Sequence, residues 1–155
     1  MSLITPTELA QYMQKKKVLL LTGSLCDKVE LDGKKLLDYA AEVALKLKAP
    51  VAATANTASG LKAKGVDAKK KIAAEMVDYM RYEEWREPIM PQKPEVLLFI
   101  GYPTVVAKGL VSATKGVATV VLSNSYIEEA TFSFPDSSLQ GYQQNLEALL
   151  QNLSS

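Results

Sequence analysis

The sequence of 155 residues contains no histidine and a single cysteine, Cys26. The absence of histidine excludes a Ser–His–Asp or Cys–His catalytic arrangement, a histidine-ligated zinc site and an imidazole general base. A lone cysteine excludes an internal disulfide, a cysteine-rich zinc site and a fully cysteine-ligated iron–sulfur cluster. Any metal or redox chemistry would have to come from a cofactor or a partner. We therefore predict neither a catalytic residue nor a metal site in this chain.

Long apolar runs and dense basic stripes are also missing. No run approaches the roughly 20 apolar residues of a membrane span, and the N-terminus does not resemble a signal peptide. Arginine occurs only twice, and the lysines lack the interleaved aromatics typical of nucleic-acid-binding proteins. Residues 1–115 carry a net charge of +5 (18 basic, 13 acidic), and the last 40 residues carry −4. We predict a cytoplasmic protein without membrane or nucleic-acid partners, whose lysines are either solvated or face an anionic partner.

Apolar runs that end at glycine or proline alternate with amphipathic segments along the chain. A hydrophobic content of 48% and this length predict a single domain over residues 1–155. The predicted strands are 18–22, 51–55, 95–101, 117–122 and 130–134. The predicted helices are 5–14, 32–48, 69–86, 103–114 and a last one from Asp136, while 56–65 and 87–94 are predicted loops. Buried strands joined by helices predict a three-layer α/β/α sandwich with a mainly parallel, Rossmann-like sheet.

In such a sheet, ligands bind beyond the carboxyl ends of the strands, where the strand order reverses. This rule selects short segments after the strands: Gly23-Ser24, 54–60, Gly101-Tyr102 and Ser123-Asn124. Glycines there would let backbone amides approach a phosphate, or would serve only the turns. Neither a GxGxxG nor a GxxxxGK[ST] motif is present. The candidate cofactor-binding residues are Gly23, Ser24, Thr54, Asn56, Ser59, Gly60, Gly101 and Tyr102.

Several candidates have two interpretations. The hydroxyls and amides of residues 57–60 could form an anion site or simply make a loop. Tyr102 could stack on a flat ring or cover the end of the sheet, and Cys26 could be a reactive thiol or an inert filler.

Three aromatic residues, Tyr79, Tyr82 and Trp85, recur at every third position of the predicted helix 69–86. Rigid aromatics on a charged helix are typical of a protein-binding patch. They could equally pack beneath the proline-rich segment Pro88–Pro94. The sequence leaves both interpretations open.

Three segments resemble a known family. They are Lys17–Gly23 after an opening helix, Val96–Tyr102 before a helix rich in small residues, and Leu122–Tyr126 leading into Ala130–Pro135. On these segments, and over essentially its whole length, the chain resembles the epsilon subunit of the archaeal acetyl-CoA decarbonylase/synthase complex.

The resemblance implies a fold similar to the deoxyhypusine-synthase-like NAD/FAD-binding domain. It also implies a partner, the alpha subunit of carbon monoxide dehydrogenase, in an alpha2-epsilon2 component where the alpha subunit holds the nickel–iron–sulfur chemistry. The expected role is to stabilise that subunit and to assist electron transfer to FAD, the candidate cofactor. A homodimer of the isolated chain is a further expectation.

Two alternatives stay open. One is a free-standing dinucleotide-binding oxidoreductase, for which Tyr102, Asp27 and Cys26 are the candidate reactive residues. The other is a purely structural adaptor with an empty nucleotide crevice.

Overall fold

A computed structural model of the chain describes residues 3–54 and 56–153. The helices are α1 (Pro6–Gln14), α2 (Leu36–Leu47), α3 (Thr57–Ala63), α4 (Ala73–Tyr79), α5 (Thr104–Ala113) and α6 (Leu139–Asn152). The strands are β1 (Val18–Thr22), β2 (Glu30–Leu31), β3 (Lys34–Lys35), β4 (Val51–Ala53), β5 (Ala68–Lys70), β6 (Val96–Ile100), β7 (Ala118–Leu122) and β8 (Phe132–Ser133). A short 3₁₀ turn, Ser24–Asp27, follows β1.

Six strands form a parallel sheet in the order β5-β4-β1-β6-β7-β8. Counted along the chain within this sheet, the order is 3-2-1-4-5-6, which is that of doubly wound folds. The direction of winding reverses between β1 and β6, which pair from Val18↔Val96 to Thr22↔Ile100. Every residue of these two strands is buried, because their side chains are covered on both faces of the sheet.

Helices cover the two faces of the sheet unequally. Side chains such as Leu20 and Leu98 pack with α1, α2, α3 and α6 on one face. The alternating residues Leu21 and Phe99 pack with α4, α5 and part of the segment between α4 and β6 on the other. The arrangement is the predicted three-layer α/β/α sandwich.

The predicted helix 32–48 begins later than expected. Asp32 and Gly33 both have positive φ, 53° and 80°, and join the antiparallel strands β2 and β3. An Asp-Gly pair is the typical two-residue hairpin turn, so the sequence contained this signal. Helix α2 therefore starts at Leu36 rather than at Asp32.

The predicted loop 56–65 is wrong, because residues Thr57–Ala63 form α3. Burial of Leu61 against the core stabilises this helix despite its polar sequence. The predicted strand over residues 51–55 ends at Ala53, and Ala55 lies outside the described residues.

The predicted helix 69–86 is also wrong over most of its length. Ala68–Lys70 form the edge strand β5, and α4 covers only Ala73–Tyr79. Lys69 and Lys70 are exposed, as lysines that block further pairing at a sheet edge commonly are. Met76 and Met80 are buried as their spacing predicts, but Ile72 is 61% exposed.

Helix α6 begins three residues after the predicted start. Its N-cap is Ser138, whose hydroxyl accepts from the Gly141 amide. Asp136, where the helix was predicted to begin, instead accepts from the Tyr126 amide at 2.7 Å.

Candidate functional site

The reversal of winding brings the ends of β1 and β6 together, as the sequence predicted. Thr22 and Ile100 are register partners, so Gly23 and Gly101 follow at the same edge of the sheet. The Gly23 amide donates to the Ile100 carbonyl at 2.9 Å, and the Leu25 amide donates to the Gly101 carbonyl at 2.8 Å. We call this region, formed by residues 22–26 and 100–102, the crevice.

Both glycines of the crevice allow a close contact between its two loops. A Cβ atom on Gly23 would lie 2.5 Å from the Gly101 carbonyl oxygen. Gly101 has φ +86°, and a Cβ atom there would lie 2.4 Å from Cys26 Sγ. The two glycines are thus required by packing and backbone conformation. The Gly23 amide, the Gly101 carbonyl and the space beside both glycines are used within the chain itself.

The Cys26 thiol packs directly beside Gly101 in the crevice. The thiol is fully buried, and its Sγ is 3.6 Å from the Ile100 carbonyl oxygen. Burial raises the pKa of Cys26 to about 12, opposed by a hydrogen bond with the Gly23 backbone and assisted by Asp27. A thiol of that pKa is protonated near neutral pH and is a poor nucleophile. Its contacts are those of an inert core residue.

Hydroxyl groups beside the crevice form a closed network. Thr57 Oγ1 donates to the Thr54 carbonyl at 2.7 Å, so the Thr22 hydroxyl donates to Thr57 Oγ1 at 2.9 Å. The Thr54 hydroxyl donates to the Thr22 carbonyl, which leaves the Tyr102 hydroxyl to donate to Thr54 Oγ1 at 3.4 Å. Burial raises the pKa of Tyr102 far above its usual value. The hydroxyls are thus paired, Thr22 with Thr57 and Tyr102 with Thr54, and backbone carbonyls accept the other two protons.

The structure separates the other predicted site residues from this network. Asn56 is exposed before α3, and Ser59 is exposed within it. Gly60 faces α2, where a Cβ atom would lie 2.7 Å from Leu37 Cδ2. Ser24 begins the 3₁₀ turn after β1. Sequence reasoning missed Thr22, since a threonine at the end of an apolar strand gives no sign of a buried partner.

A small cavity lies between the ends of β6 and β7. Its volume is about 50 Å³, and Gly101, Tyr102, Ser123, Asn124 and Tyr142 are among the residues that line it. A water molecule occupies about 30 Å³ of liquid, whereas pockets for organic ligands measure roughly 300–1,000 Å³. The residues of the crevice and this cavity therefore do not fit FAD in the described conformation.

A much larger cavity lies beside the end of α4. It measures about 640 Å³ and is lined by Tyr79, Tyr82, Trp85, Glu83, Glu84, Arg86 and Glu87. We call it the aromatic pocket. The predicted helix ends before most of these residues, but the three aromatic side chains still come together. Trp85 packs against the core below the proline-rich segment, while Tyr79 and Tyr82 stay 36% and 52% exposed.

Over residues 3–54 and 56–153, no group of three or more histidine, cysteine or acidic side chains is placed to hold a metal ion. None of the helices in this part of the chain combines the length and apolarity that crossing a bilayer requires.

The strand order defines the chain as a Rossmann-like α/β protein of the doubly wound class. No model of a known protein family matches the sequence. The chain is similar to acetyl-CoA decarbonylase/synthase complex subunit epsilon 1 of Methanosarcina barkeri, with 27% identity over 154 residues. The match covers 97% of this chain and 88% of the relative. It supports a relationship to that subunit along nearly the whole sequence.

Proposed function

We propose that this chain is a non-catalytic accessory subunit of a complex of the acetyl-CoA decarbonylase/synthase type. The observation that carries the proposal is the similarity to the Methanosarcina barkeri epsilon subunit over 97% of the chain. The partner would be the alpha subunit of the carbon monoxide dehydrogenase component, in an alpha2-epsilon2 assembly. The role of this chain would be to stabilise that large subunit.

The chemistry of the crevice supports a holding role rather than a catalytic one. Its thiol is buried with a raised pKa, and the half-buried tyrosine Tyr102 also has a raised pKa. A general base or nucleophile needs a pKa near the working pH and access to a substrate. Cys26, one candidate of the oxidoreductase alternative, has neither property, and Tyr102, another, lacks a pKa near the working pH.

FAD enters the proposal only as a ligand of the assembled complex. The crevice of this chain does not fit a dinucleotide, so a flavin near the subunit would need surfaces from a partner. FAD would supply one- and two-electron transfer chemistry there. The structural-adaptor alternative needs no such ligand, and the close contact between Gly23 and Gly101 supports it.

The decisive experiment is recovery of the native complex. The chain should be tagged in its source organism, purified without oxygen, and analysed for protein partners, nickel and iron. We expect a metal-containing large subunit in an equal molar amount. Purification of the chain alone, without any metal-cluster protein, would contradict the proposal.

A titration with FAD then separates the two forms of the proposal. The isolated chain should show no saturable heat or fluorescence change with FAD. Binding that requires the assembled complex would support the flavin form. The absence of binding to both samples would leave the structural adaptor.

A further inference from the structure

The aromatic pocket belongs to an unusually long segment without helix or strand. Helix α4 ends at Tyr79 and β6 begins at Val96, so 16 residues connect them. Irregular connections longer than about 12–15 residues are uncommon within compact domains and often have a function. This segment also completes the more thinly covered face of the sheet, where Ile89 is buried against the core.

Specific contacts hold this segment in place. Lys93 Nζ donates to the carbonyl oxygens of Met80 and Tyr82, at 2.9 and 2.7 Å. The indole N–H of Trp85 donates to the Met90 carbonyl at 2.9 Å. Lys71 pairs with Glu87 at 2.8 Å, which ties the segment to the end of β5. The pocket is thus formed before any ligand arrives, which lowers the entropic cost of binding.

The groups that line the pocket favour a cation. Three aromatic side chains lie beside three glutamates and a single arginine. Arg86 is paired with Glu84 at 2.9 Å and Glu87 with Lys71, while Glu83 has no ion pair among the described residues. Aromatic faces and carboxylates together bind guanidinium and ammonium groups. Arg81 already lies over the Tyr82 ring, 5.7 Å from its centroid.

Exposed apolar side chains extend beyond the lining of the aromatic pocket. Among the described residues, eight large hydrophobic side chains are exposed, and five belong to α4, α5 and the residues next to them. These five are Ile72, Tyr79, Tyr82, Val105 and Val106. Helices α4 and α5 pack against each other on the same face of the sheet. Exposed apolar side chains gathered on one face are typical of a protein interface.

We infer that the aromatic pocket receives an arginine or lysine side chain from a segment of a partner protein. The cation would lie against the faces of Tyr79 and Tyr82, with its charge balanced by Glu83. The apolar residues of α4 and α5 would contact neighbouring side chains of the same partner. The inference rests on the proposed function, in which the partner is the large subunit of the complex.

The test measures the affinity of the full-length chain for that large subunit, by calorimetry without oxygen. Tyr82→Ala and Glu83→Lys alter the pocket, and both side chains are exposed. Leu45→Ala, on a helix of the other face, and Glu129→Lys are the matched controls, since both residues are exposed too. We expect each pocket variant to weaken binding about tenfold or more, and each control less than twofold.

Two results would overturn the inference while leaving the proposed function intact. One is equal affinity for wild type, pocket variants and controls. The other is a wild-type chain that sediments as a dimer and becomes monomeric with Glu83→Lys, which would make a second copy the occupant.

If the large subunit does not bind the wild-type chain, the proposed function is contradicted. A peptide titration then tests the inference independently of that function. Trp85 is the only tryptophan of the chain, so its fluorescence reports on the pocket. The probes are acetyl-Gly-Leu-Arg-Leu-Gly-amide and the same peptide with neutral citrulline in place of arginine. Saturable binding that is about tenfold tighter for arginine supports the inference. Equal responses, or none, overturn it.

Discussion

The crevice between β1 and β6 and the aromatic pocket beside α4 differ in how far their side chains are buried and bonded within the chain. In the crevice, the glycines touch, the hydroxyls of Thr22 and Tyr102 bind those of Thr57 and Thr54, and the thiol is buried. In the pocket, two tyrosines and Glu83 remain exposed around a cavity of about 640 Å³. The fold places the usual ligand position at the crevice, yet the larger of the two cavities lies beside α4. A doubly wound sheet can therefore use its switch point for stability and another region for recognition.

The largest effect is expected from Gly101→Ala, which inserts a methyl group into the crevice. Its positive φ and the 2.4 Å approach to Cys26 Sγ should together cost about 3 kcal/mol of unfolding free energy. Urea denaturation measures this loss. Gly109→Ala is the matched control, because that glycine is exposed in α5 with no atom near its added Cβ. The control should gain about 0.5–1 kcal/mol, and a comparable loss in both variants would contradict the packing interpretation.

Lys93→Met tests whether the pocket is held in a fixed shape. The variant removes two hydrogen bonds from a charged amine to the Met80 and Tyr82 carbonyls. We expect a loss of about 1–2 kcal/mol, with faster amide exchange over residues 80–87. Lys108→Met, at an exposed position on α5, should change stability by less than about 0.5 kcal/mol. Unchanged exchange in Lys93→Met would show that the segment keeps its shape without these bonds.

The buried thiol of the crevice predicts that the unfolding free energy depends on pH. The pKa of Cys26 rises from 9.0 to about 12 on folding, so above pH 9 the unfolded state loses this proton first. Stability should therefore fall as pH rises, by up to about 1.4 kcal/mol per pH unit from this group. Chemical denaturation between pH 8 and 10, at roughly half-unit steps, should show a shallower fall in Cys26→Ala. Parallel curves for the two proteins would contradict a buried, protonated thiol.

The smallest effect on stability is expected from Tyr82→Ala in the pocket. Its side chain is 52% exposed, so the unfolding free energy should change by less than about 0.5 kcal/mol. The same variant should weaken partner binding about tenfold, because it removes an aromatic face of the pocket. This separation of stability from binding is the opposite of what Gly101→Ala should show. A loss of several kcal/mol in urea denaturation would instead place Tyr82 among the structural residues.

The sequence predicted the central strands well because their signal is local. Val18–Thr22 and Val96–Ile100 are continuous apolar runs followed by glycine, which in an α/β chain indicates buried parallel strands. The meeting of Gly23 and Gly101 then follows from a general rule of sheet winding. The Asp32-Gly33 hairpin was also readable, although a helix was predicted there instead.

Other elements depend on neighbours that are distant in sequence. Lys69 and Lys70 form a strand because β4 offers a parallel partner at the sheet edge. Residues 57–63 form a helix because Leu61 is buried against the core. Neither segment has the apolar periodicity that would reveal this beforehand, so local patterns favoured the wrong structures.

The sequence by itself determined the class of fold, the central strands and the lack of side chains for histidine- or cysteine-based metal chemistry. Only the tertiary structure decided that Cys26 fills the space beside Gly101 and that the hydroxyls of Thr22, Thr54 and Thr57 find partners among themselves and the Thr22 and Thr54 carbonyls. It also decided that Tyr79, Tyr82 and Trp85 line an open pocket. The physical reason is that apolar runs act on the chain locally, whereas filling or opening a cavity depends on residues that meet only after folding.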